Sequence, residues 1–301
     1  GALSQRWSLP GSSGRGWYRV TGYEPVITIR GLSFRYPPSV SGRAGFALRT
    51  ISLSINPGEF VVVTGHSGSG KSTLARCLNG LIPHATRGTM DGRVIAAGLD
   101  TREHDVPDVA RAVGLVFQDP GYQIVTSDVE SEIAFALEAR NLPEEEIQKR
   151  IETTASLLRI GHLLGRTTAD LSWGERQRVA IASVLAARPK VLVMDEPFSG
   201  IDPTAAAELA SLLHDLKKET GITIVIFEHR TTWLHAIADR WIAMQDGEVV
   251  SDTVSAPGRD TCGKPGPAAT RFQPGRKEIP AVRPAPVLSL RNVTYTYPGQ
   301  R

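Results

Sequence analysis

The sequence predicts an α/β fold that combines a mostly parallel core sheet, an antiparallel β subdomain and a helical subdomain. Residues 27–36 and 48–55 alternate between apolar and polar side chains, as expected for an antiparallel layer. An apolar run at 60–63 predicts a buried strand, which leads through a glycine-rich loop into a helix start. Strand patterns at 191–194 and 222–227 then alternate with helical patterns, and this alternation is typical of a parallel sheet.

The elements after the glycine-rich loop follow in chain order. The apolar run 113–117 predicts a strand, and an amphipathic stretch begins at Val129. Pro143 and the three glutamates after it predict a helix start, because proline suits a first turn and acidic side chains there oppose the helix dipole. Residues from about 126 to 170 therefore predict the helical subdomain. A capping-box pattern from Ser172 to Glu175 predicts the start of the next helix.

Composition excludes several classes of protein. The chain has 301 residues, of which 41% are hydrophobic, so it can form one large domain or two small ones. Its 34 basic and 31 acidic residues are interspersed and give a net charge of +3, which argues against a nucleic-acid partner. We find no apolar run of 18 residues and no export signal, and the two cysteines, Cys77 and Cys262, favour a reduced, cytosolic context.

Changes in composition divide the chain into four parts. Residues 1–24, rich in Gly, Ser and Arg, predict a linker or the tail of an upstream domain, and residues 25–255 form the predicted domain. Residues 256–286 are rich in proline and glycine and predict a linker. The last segment, 287–301, repeats the strand pattern of 27–37 at an offset of 261 residues, which predicts the truncated first strand of a second domain. Since the first residue is glycine rather than methionine, we expect a fragment of a longer chain.

The glycine-rich loop fits the pattern G-x-x-x-x-G-K-[ST]. Its glycines let successive backbone N–H groups point at one anion, and the helix start adds partial positive charge. Lys71 would then reach the β- and γ-phosphates of a nucleotide, and the Ser72 hydroxyl would bind Mg²⁺. The predicted nucleotide-binding residues of this loop are Gly65, His66, Ser67, Gly68, Ser69, Gly70, Lys71, Ser72 and Thr73.

Three polar residues follow predicted strands at the edge that carries the loop. Asp195 ends an apolar strand and can hold Mg²⁺ through water. Glu196 beside it is free to polarise an attacking water, although it could also be a solvated acid after a strand. Gln118 follows its own strand and could orient that water or contact the metal.

Six motifs occur in a fixed order: the loop at 65–72, Gln118, the segment 171–178, the strand end 194–197, the segment 199–202 and His229. Together they resemble the ATP-binding-cassette (ABC) ATPase family over residues 26 to about 252. The resemblance implies that the chain hydrolyses ATP with Mg²⁺, that adenine stacks on Tyr36, that His229 contacts the γ-phosphate and that Gln118 senses a membrane partner. Taken alone, Tyr36 could be a core tyrosine, and a lone histidine is more often structural.

The resemblance also makes Ser172, Gly174, Glu175 and Asp202 nucleotide-binding residues, acting on ATP held by a second cassette, so that ATP joins two cassettes. The sequence departs from the family at Trp173, where glycine is usual, at Glu175, where glutamine is commoner, and on both sides of His229. We hypothesise that the indole slows or alters the composite site.

Residues 116–123, with glutamines at 118 and 123, resemble the loop of energy-coupling-factor importers, which take up vitamins and cobalt. Glu228 beside His229 and the tandem arrangement of cassettes also resemble these importers. The resemblance implies a transmembrane coupling partner and a place on the cytoplasmic face of the cell membrane. Acidic residues after the loop, Asp128, Glu130 and Glu132, predict either a docking surface for that partner or an ordinary solvated face.

Two other functions stay open on the sequence alone. A tandem cassette without a membrane partner can act on ribosomes or DNA, although such proteins usually have a long charged helical linker or a coiled-coil insertion. A catalytically weak regulatory half is the third possibility. The sequence does not reveal the transported substrate, since selectivity would lie in another polypeptide or domain.

Overall fold

A computed structural model describes residues 24–38 and 45–255. The predicted linkers before residue 24 and at 256–286, and the predicted second-domain strand at 287–301, lie outside these residues. The described strands, numbered in chain order, are β1 (Ile27–Arg35), β2 (Phe46–Ile55), β3 (Phe60–Thr64), β4 (Thr89–Ala96), β5 (Leu99–Asp100), β6 (Val113–Val116), β7 (Val191–Asp195), β8 (Thr223–Phe227), β9 (Arg240–Gln245) and β10 (Glu248–Val254).

The described helices include short single turns as well as longer elements. They are α1 (Lys71–Leu78), α2 (Leu81–His84), α3 (Val106–Ala112), α4 (Val129–Glu138), α5 (Glu144–Leu157), α6 (Trp173–Leu185) and α7 (Pro203–Thr220), with 3-10 turns at Pro120–Tyr122, Gly161–Leu163 and Thr168–Asp170. Helices α4 and α5 occupy the range in which the helical subdomain was predicted.

The strands form two sheets. The first has the order β2-β1-β4-β5 and is antiparallel throughout. The second has the order β10-β9-β3-β8-β7-β6, in which only β10 runs antiparallel to its neighbour. The α/β arrangement with an antiparallel layer and a mostly parallel core is therefore the one predicted.

The parallel sheet is covered on both faces, which explains its continuous apolar strands. In β3, Phe60 and Val62 pack with helices α4 to α7, whereas Val61 and Val63 pack with α1 and the antiparallel sheet. Because alternate residues of a strand point to opposite faces, α1 and α6 lie on opposite sides of the core sheet. The ends of β3, β6, β7 and β8 meet at one edge, where the predicted site residues follow them.

Helix α3 is an element that the sequence analysis did not predict. It has seven residues and buries only Val109, so it leaves no helical period in the sequence. The residues that begin it, Asp105 and Pro107, are a start signal that could have revealed it. Within the two described segments, no helix is long and apolar enough to cross a lipid bilayer.

Candidate active site

The loop between β3 and α1 depends on glycine. Gly68 and Gly70 have φ values of +82° and +102°, a region that other residues rarely adopt. A Cβ at Gly70 would also lie 2.6 Å from the Ala47 carbonyl oxygen. Helix α1 then begins directly at Lys71, so its unpaired N–H groups and its positive dipole end face the loop.

The Lys71 side chain is almost fully buried in this loop, with 4% of it exposed. Its ammonium group donates to the carbonyl oxygens of Gly65 at 2.7 Å and His66 at 3.1 Å. The same nitrogen lies 3.9 Å from a carboxylate oxygen of Glu196. A positive charge is therefore held where the loop can receive an anion.

Glu196 is the centre of a cluster of predicted site residues. Gln118 Nε2 donates to Glu196 Oε2 at 2.9 Å, and His229 Nδ1 lies 3.6 Å from Glu196 Oε1. With Lys71, the structure thus brings together four predicted residues that come from four separate segments. Such convergence is what a catalytic carboxylate requires, and a solvated acid after a strand would show none of it.

The backbone of Glu196 is itself unusual. Its φ is +47°, and a non-glycine residue in this region costs on the order of 1 kcal/mol or more. The conformation is fixed because the Glu196 N–H donates to the Phe227 carbonyl at 2.8 Å, while its carbonyl accepts from Ser199 at 3.0 Å. Strain that the surrounding structure maintains in this way is common at functional sites.

Asp195, the last residue of β7, fits a cation. Its carboxylate is 7% exposed, and burial raises its pKa, while the nearby Ser72 hydroxyl acts in the opposite direction. Its Oδ1 atom is buried without a hydrogen-bond partner among the described residues. A hydroxyl and a carboxylate suit Mg²⁺, which takes few protein ligands and completes its shell with water and phosphate oxygens. The described part of the chain contains no cluster of three or more His, Cys, Asp or Glu side chains that could form a larger metal site.

Tyr36 lies beside the nucleotide loop. Its hydroxyl forms a 3.1 Å hydrogen bond with Thr73 Oγ1, in the first turn of α1. Its ring packs edge-on against Phe34, with 4.9 Å between ring centroids, and is half-buried. The side chain therefore contributes to the core and also contacts the first turn of α1, next to the loop.

The N-terminus of α6 is held by the predicted capping box. Ser172 Oγ accepts from the Glu175 N–H at 3.4 Å, and the Glu175 carboxylate accepts from the Ser172 N–H at 2.7 Å. Hydrogen bonding of the carboxylate to the Ser172 N–H and side chain lowers the pKa of Glu175, whose carboxylate also pairs with Arg166 at 3.3 Å. Glu175, which stands where glutamine is commoner in the family, therefore forms an ion pair with Arg166 that glutamine could not form. Because α6 and α1 lie on opposite faces of the sheet, Ser172 and Gly174 do not join the Glu196 cluster.

Trp173 turns toward its own chain. Its indole Nε1 donates to the Ser199 carbonyl at 2.9 Å, and the ring lies against Gly200, whose φ is +76°. A Cβ at Gly200 would stand 2.8 Å from that nitrogen. Trp173 therefore braces the segment between β7 and α7, a contact that sequence analysis missed. Asp202 caps α7 by accepting from Thr204 and Ala205, and the structure shows no further role for it.

The predicted acidic docking surface is wrong for Glu132, which is buried. Glu132 is 3% exposed, and its carboxylate accepts from the N–H groups of Val125 and Thr126, both at 2.9 Å. Asp128 caps α4 by accepting from Ser131. Both carboxylates are used to hold the local backbone. The sequence could not show this, because solvated and folded-back acids have the same pattern.

The surface beside these residues is instead an apolar groove of about 500 Å³ between the core sheet and the helical subdomain. We call it the apolar groove; it is lined mainly by Leu81, Pro107, Phe117, Val125, Phe135 and Ala139. Gln123 fixes the neighbouring Gln118 loop, since it accepts from the Phe117 N–H at 3.0 Å and donates to the Ala180 carbonyl at 3.1 Å.

Comparisons with known proteins agree with this geometry. A family profile described as ABC transporter matches residues 48–199. A putative ABC transporter ATP-binding protein of Pyrococcus abyssi is 43% identical over 227 residues, which cover 75% of this chain and 80% of that protein. A similar protein of Methanosarcina acetivorans is 42% identical over 228 residues, which are 75% of this chain but only 35% of that protein.

Among solved structures, cbiO1 of Clostridium perfringens, described as part of the ABC transporter complex cbiONQ, is 32% identical with a TM-score of 0.67 and covers 76% of this chain and 88% of that chain. An ATP-binding cassette in a dimeric post-hydrolysis state, bound to ADP and phosphate, is 26% identical with a TM-score of 0.66 and covers 76% and 98% of the two chains. The predicted fold class is thus confirmed. The chain belongs to the ABC transporter family, as an ATP-binding cassette that hydrolyses ATP.

Proposed function

We propose that this cassette is the motor of an energy-coupling-factor importer, in which two cassettes enclose ATP and drive a transmembrane subunit. Two observations support this branch of the family. The chain is similar to cbiO1, which belongs to a multi-subunit transporter complex. In addition, the second glutamine of the loop, Gln123, ties that loop to α6 and so gives the importer-like sequence a structural role.

Hydrolysis is carried by the Glu196 cluster. Lys71 and the N–H groups at the start of α1 hold the phosphates, and Glu196 takes the proton of the attacking water. His229 and Gln118, which both lie against Glu196, hold the water and the γ-phosphate in line. Ser72, Gln118 and Asp195 would hold Mg²⁺, which would supply positive charge near the phosphate oxygens.

A second cassette completes the site. Helix α6, which begins after Ser172, lies on the opposite face of the sheet from α1. The Gly174 N–H, which the capping box does not use, is therefore available to ATP on another cassette. The dimeric state of a related cassette supports this arrangement. The much longer Methanosarcina relative supports a second cassette in the same chain, as does the repeated pattern at 287–301.

The apolar groove is the proposed docking site for the transmembrane subunit. Val125 and Phe135 are 66% and 53% exposed in it, and the Gln118 loop runs beside it. A helix with apolar side chains fits such a surface better than the basic helix that an acidic patch would receive. Movement of that helix would then displace Gln118, which donates a hydrogen bond to Glu196. On this account the cassette works at the cytoplasmic face of the cell membrane and serves uptake of a vitamin, cobalt or another micronutrient.

The steady-state ATPase rate of the Glu196→Gln variant tests the catalytic part. We expect the rate to fall by about 100-fold or more, because the amide cannot accept the proton. Binding of a non-hydrolysable ATP analogue should persist, since the phosphates are held elsewhere. The exposed Glu248→Gln variant is the matched control and should keep the wild-type rate. Unchanged hydrolysis in Glu196→Gln would refute the assignment.

A pair of valine substitutions tests the docking part. Val125→Asp places a charge in the apolar groove, and Val250→Asp places the same charge on β10, at a valine that is 58% exposed. We expect only Val125→Asp to lower the membrane-bound fraction of the full-length protein in its own cells. Equal recovery of both variants in the membrane fraction would contradict docking at the groove. A full-length protein that never co-fractionates with membranes would favour the ribosome or DNA alternative.

A further inference from the structure

A second carboxylate lies next to the Glu196 cluster and is completely buried. Glu228 follows the last residue of β8 and has 0% exposure. Its Oε1 accepts from the backbone N–H groups of His229 at 2.8 Å and Arg230 at 3.0 Å. Its Oε2 accepts from the N–H of Phe198 at 3.3 Å. One side chain thus binds the backbone of two different loops.

Those two loops carry the groups assigned to hydrolysis. Phe198 stands two residues after Glu196, and His229 directly follows Glu228. The His229 Nδ1 atom lies 3.2 Å from Glu228 Oε1 and 3.6 Å from Glu196 Oε1. The imidazole is therefore placed between the two carboxylates. A second bond, from the Glu196 N–H to the Phe227 carbonyl, joins the same loops.

The environment of Glu228 requires a group that only accepts hydrogen bonds. All three of its backbone partners are N–H donors, and a carboxylate can accept on both oxygens. Burial raises the pKa of Glu228, while the N–H groups of Arg230 and His229 lower it. Burying an ionisable group is costly unless it is well hydrogen-bonded, so its presence here calls for a role that a smaller polar residue does not fill.

We propose that Glu228 is a positioning residue for ATP hydrolysis, whose carboxylate locks the loop after Glu196 to the loop of His229 and so fixes both groups at the γ-phosphate position. The inference rests on the roles proposed above for Glu196 and His229. Glu228 acts through these residues and does not itself contact the nucleotide.

The Glu228→Gln variant is the sharpest test, because the amide has the same shape but presents an NH₂ group to one of the donors. One unsatisfied buried donor costs about 1–3 kcal/mol, which corresponds to a fall in kcat of about fivefold to 150-fold if it is expressed in the transition state. The KM for ATP and the affinity for a non-hydrolysable analogue should change by less than about twofold, because the phosphate loop is untouched.

Glu132→Gln is the matched control. Glu132 is also a buried carboxylate that accepts from two backbone N–H groups, but these belong to Val125 and Thr126, which lie outside the Glu196 cluster. We expect Glu132→Gln to lower thermal stability and to keep kcat. A wild-type kcat in Glu228→Gln, or the same loss of stability with unchanged kcat as in the control, would overturn the proposal.

Two further measurements separate this proposal from the one it rests on. If His229→Ala and Glu196→Gln both hydrolyse ATP at the wild-type rate, the assignment of the cluster is wrong and the positioning role falls with it. If those two variants lose activity and Glu228→Gln does not, only the positioning role is wrong. Should Glu228→Gln fail to fold, Glu228→Asp keeps the charge with a shorter reach, and a lower kcat at constant KM is expected. If neither variant folds while Glu132→Gln does, Glu228 is purely structural and the proposal is wrong.

Discussion

Burial controls the chemistry of several single residues in this cassette. Asp195 and Glu228 are both buried carboxyls whose pKa is raised by burial, and both lie at the strand ends that surround the nucleotide loop. The two differ in their partners. Glu228 is surrounded by N–H donors, whereas Asp195 Oδ1 has none among the described residues, which is why only Asp195 suits a cation.

Cys77 provides a test of burial at the residue scale. It lies in α1, and burial raises the pKa of its thiol to about 12. In the unfolded chain the thiol pKa is about 8.5, so between these values the unfolded state releases a proton that the folded state keeps. The contribution of Cys77 to the free energy of unfolding is therefore complete below about pH 8.5 and is lost as pH rises toward the folded value.

We expect the stability advantage of wild type over Cys77→Ala to shrink by about 2 kcal/mol between pH 7 and pH 10, from 1.36 kcal/mol per pKa unit. Urea unfolding of both proteins at the two pH values measures the difference, and all groups that the variants share cancel. A constant difference over this range would show that the thiol is not buried in α1 as described.

At the scale of elements, Trp173 joins the start of α6 to the segment that precedes α7. Trp173→Phe removes the bond to the Ser199 carbonyl and the part of the indole that lies against Gly200, and should lower the free energy of unfolding by about 1–2 kcal/mol. Trp173→Gly removes the whole side chain and adds glycine entropy, so we expect a larger loss of about 2–3 kcal/mol. Denaturant unfolding of the two variants measures both values.

The Trp173→Gly variant also tests whether the indole alters the composite site. Trp173→Gly should change the ATPase rate of the assembled cassette pair, because the braced segment would then move independently of α6. If Trp173→Gly is as stable as wild type and hydrolyses ATP at the same rate, the bracing contact has no role.

Sequence patterns over a few neighbouring residues predicted the helices and strands well. They did not predict contacts between distant segments of the chain. The start of α6 followed from the capping box, whose two residues lie three positions apart. By contrast, Glu228 acts on Phe198, which is 30 positions away. The sequence therefore showed Glu228 as a departure from the wider family and a resemblance to the importers, and did not reveal this contact. Glu132 was misinterpreted because its carboxylate turns back to N–H groups before the helix.

At the scale of the whole molecule, we propose that the fold separates two halves of one site. The loop, Glu196 and His229 meet at the edge of the core sheet, and α6 lies on the opposite face from α1, where its capped end would bind ATP held by a partner. The apolar groove lies between the subdomains and next to Gln118. The nucleotide, a second cassette and a membrane subunit would therefore all act on the Glu196 carboxylate.

Sedimentation of the Glu196→Gln variant of the 301-residue chain tests this central claim most directly. Because hydrolysis is blocked, Mg²⁺ and ATP should hold two cassettes together and double the mass of the protein, whereas ADP should leave it unchanged. The additional substitution Ser172→Arg should abolish the doubling, since it places a bulky side chain at the capped end of α6. A protein that keeps a single-chain mass at saturating ATP would contradict the shared site.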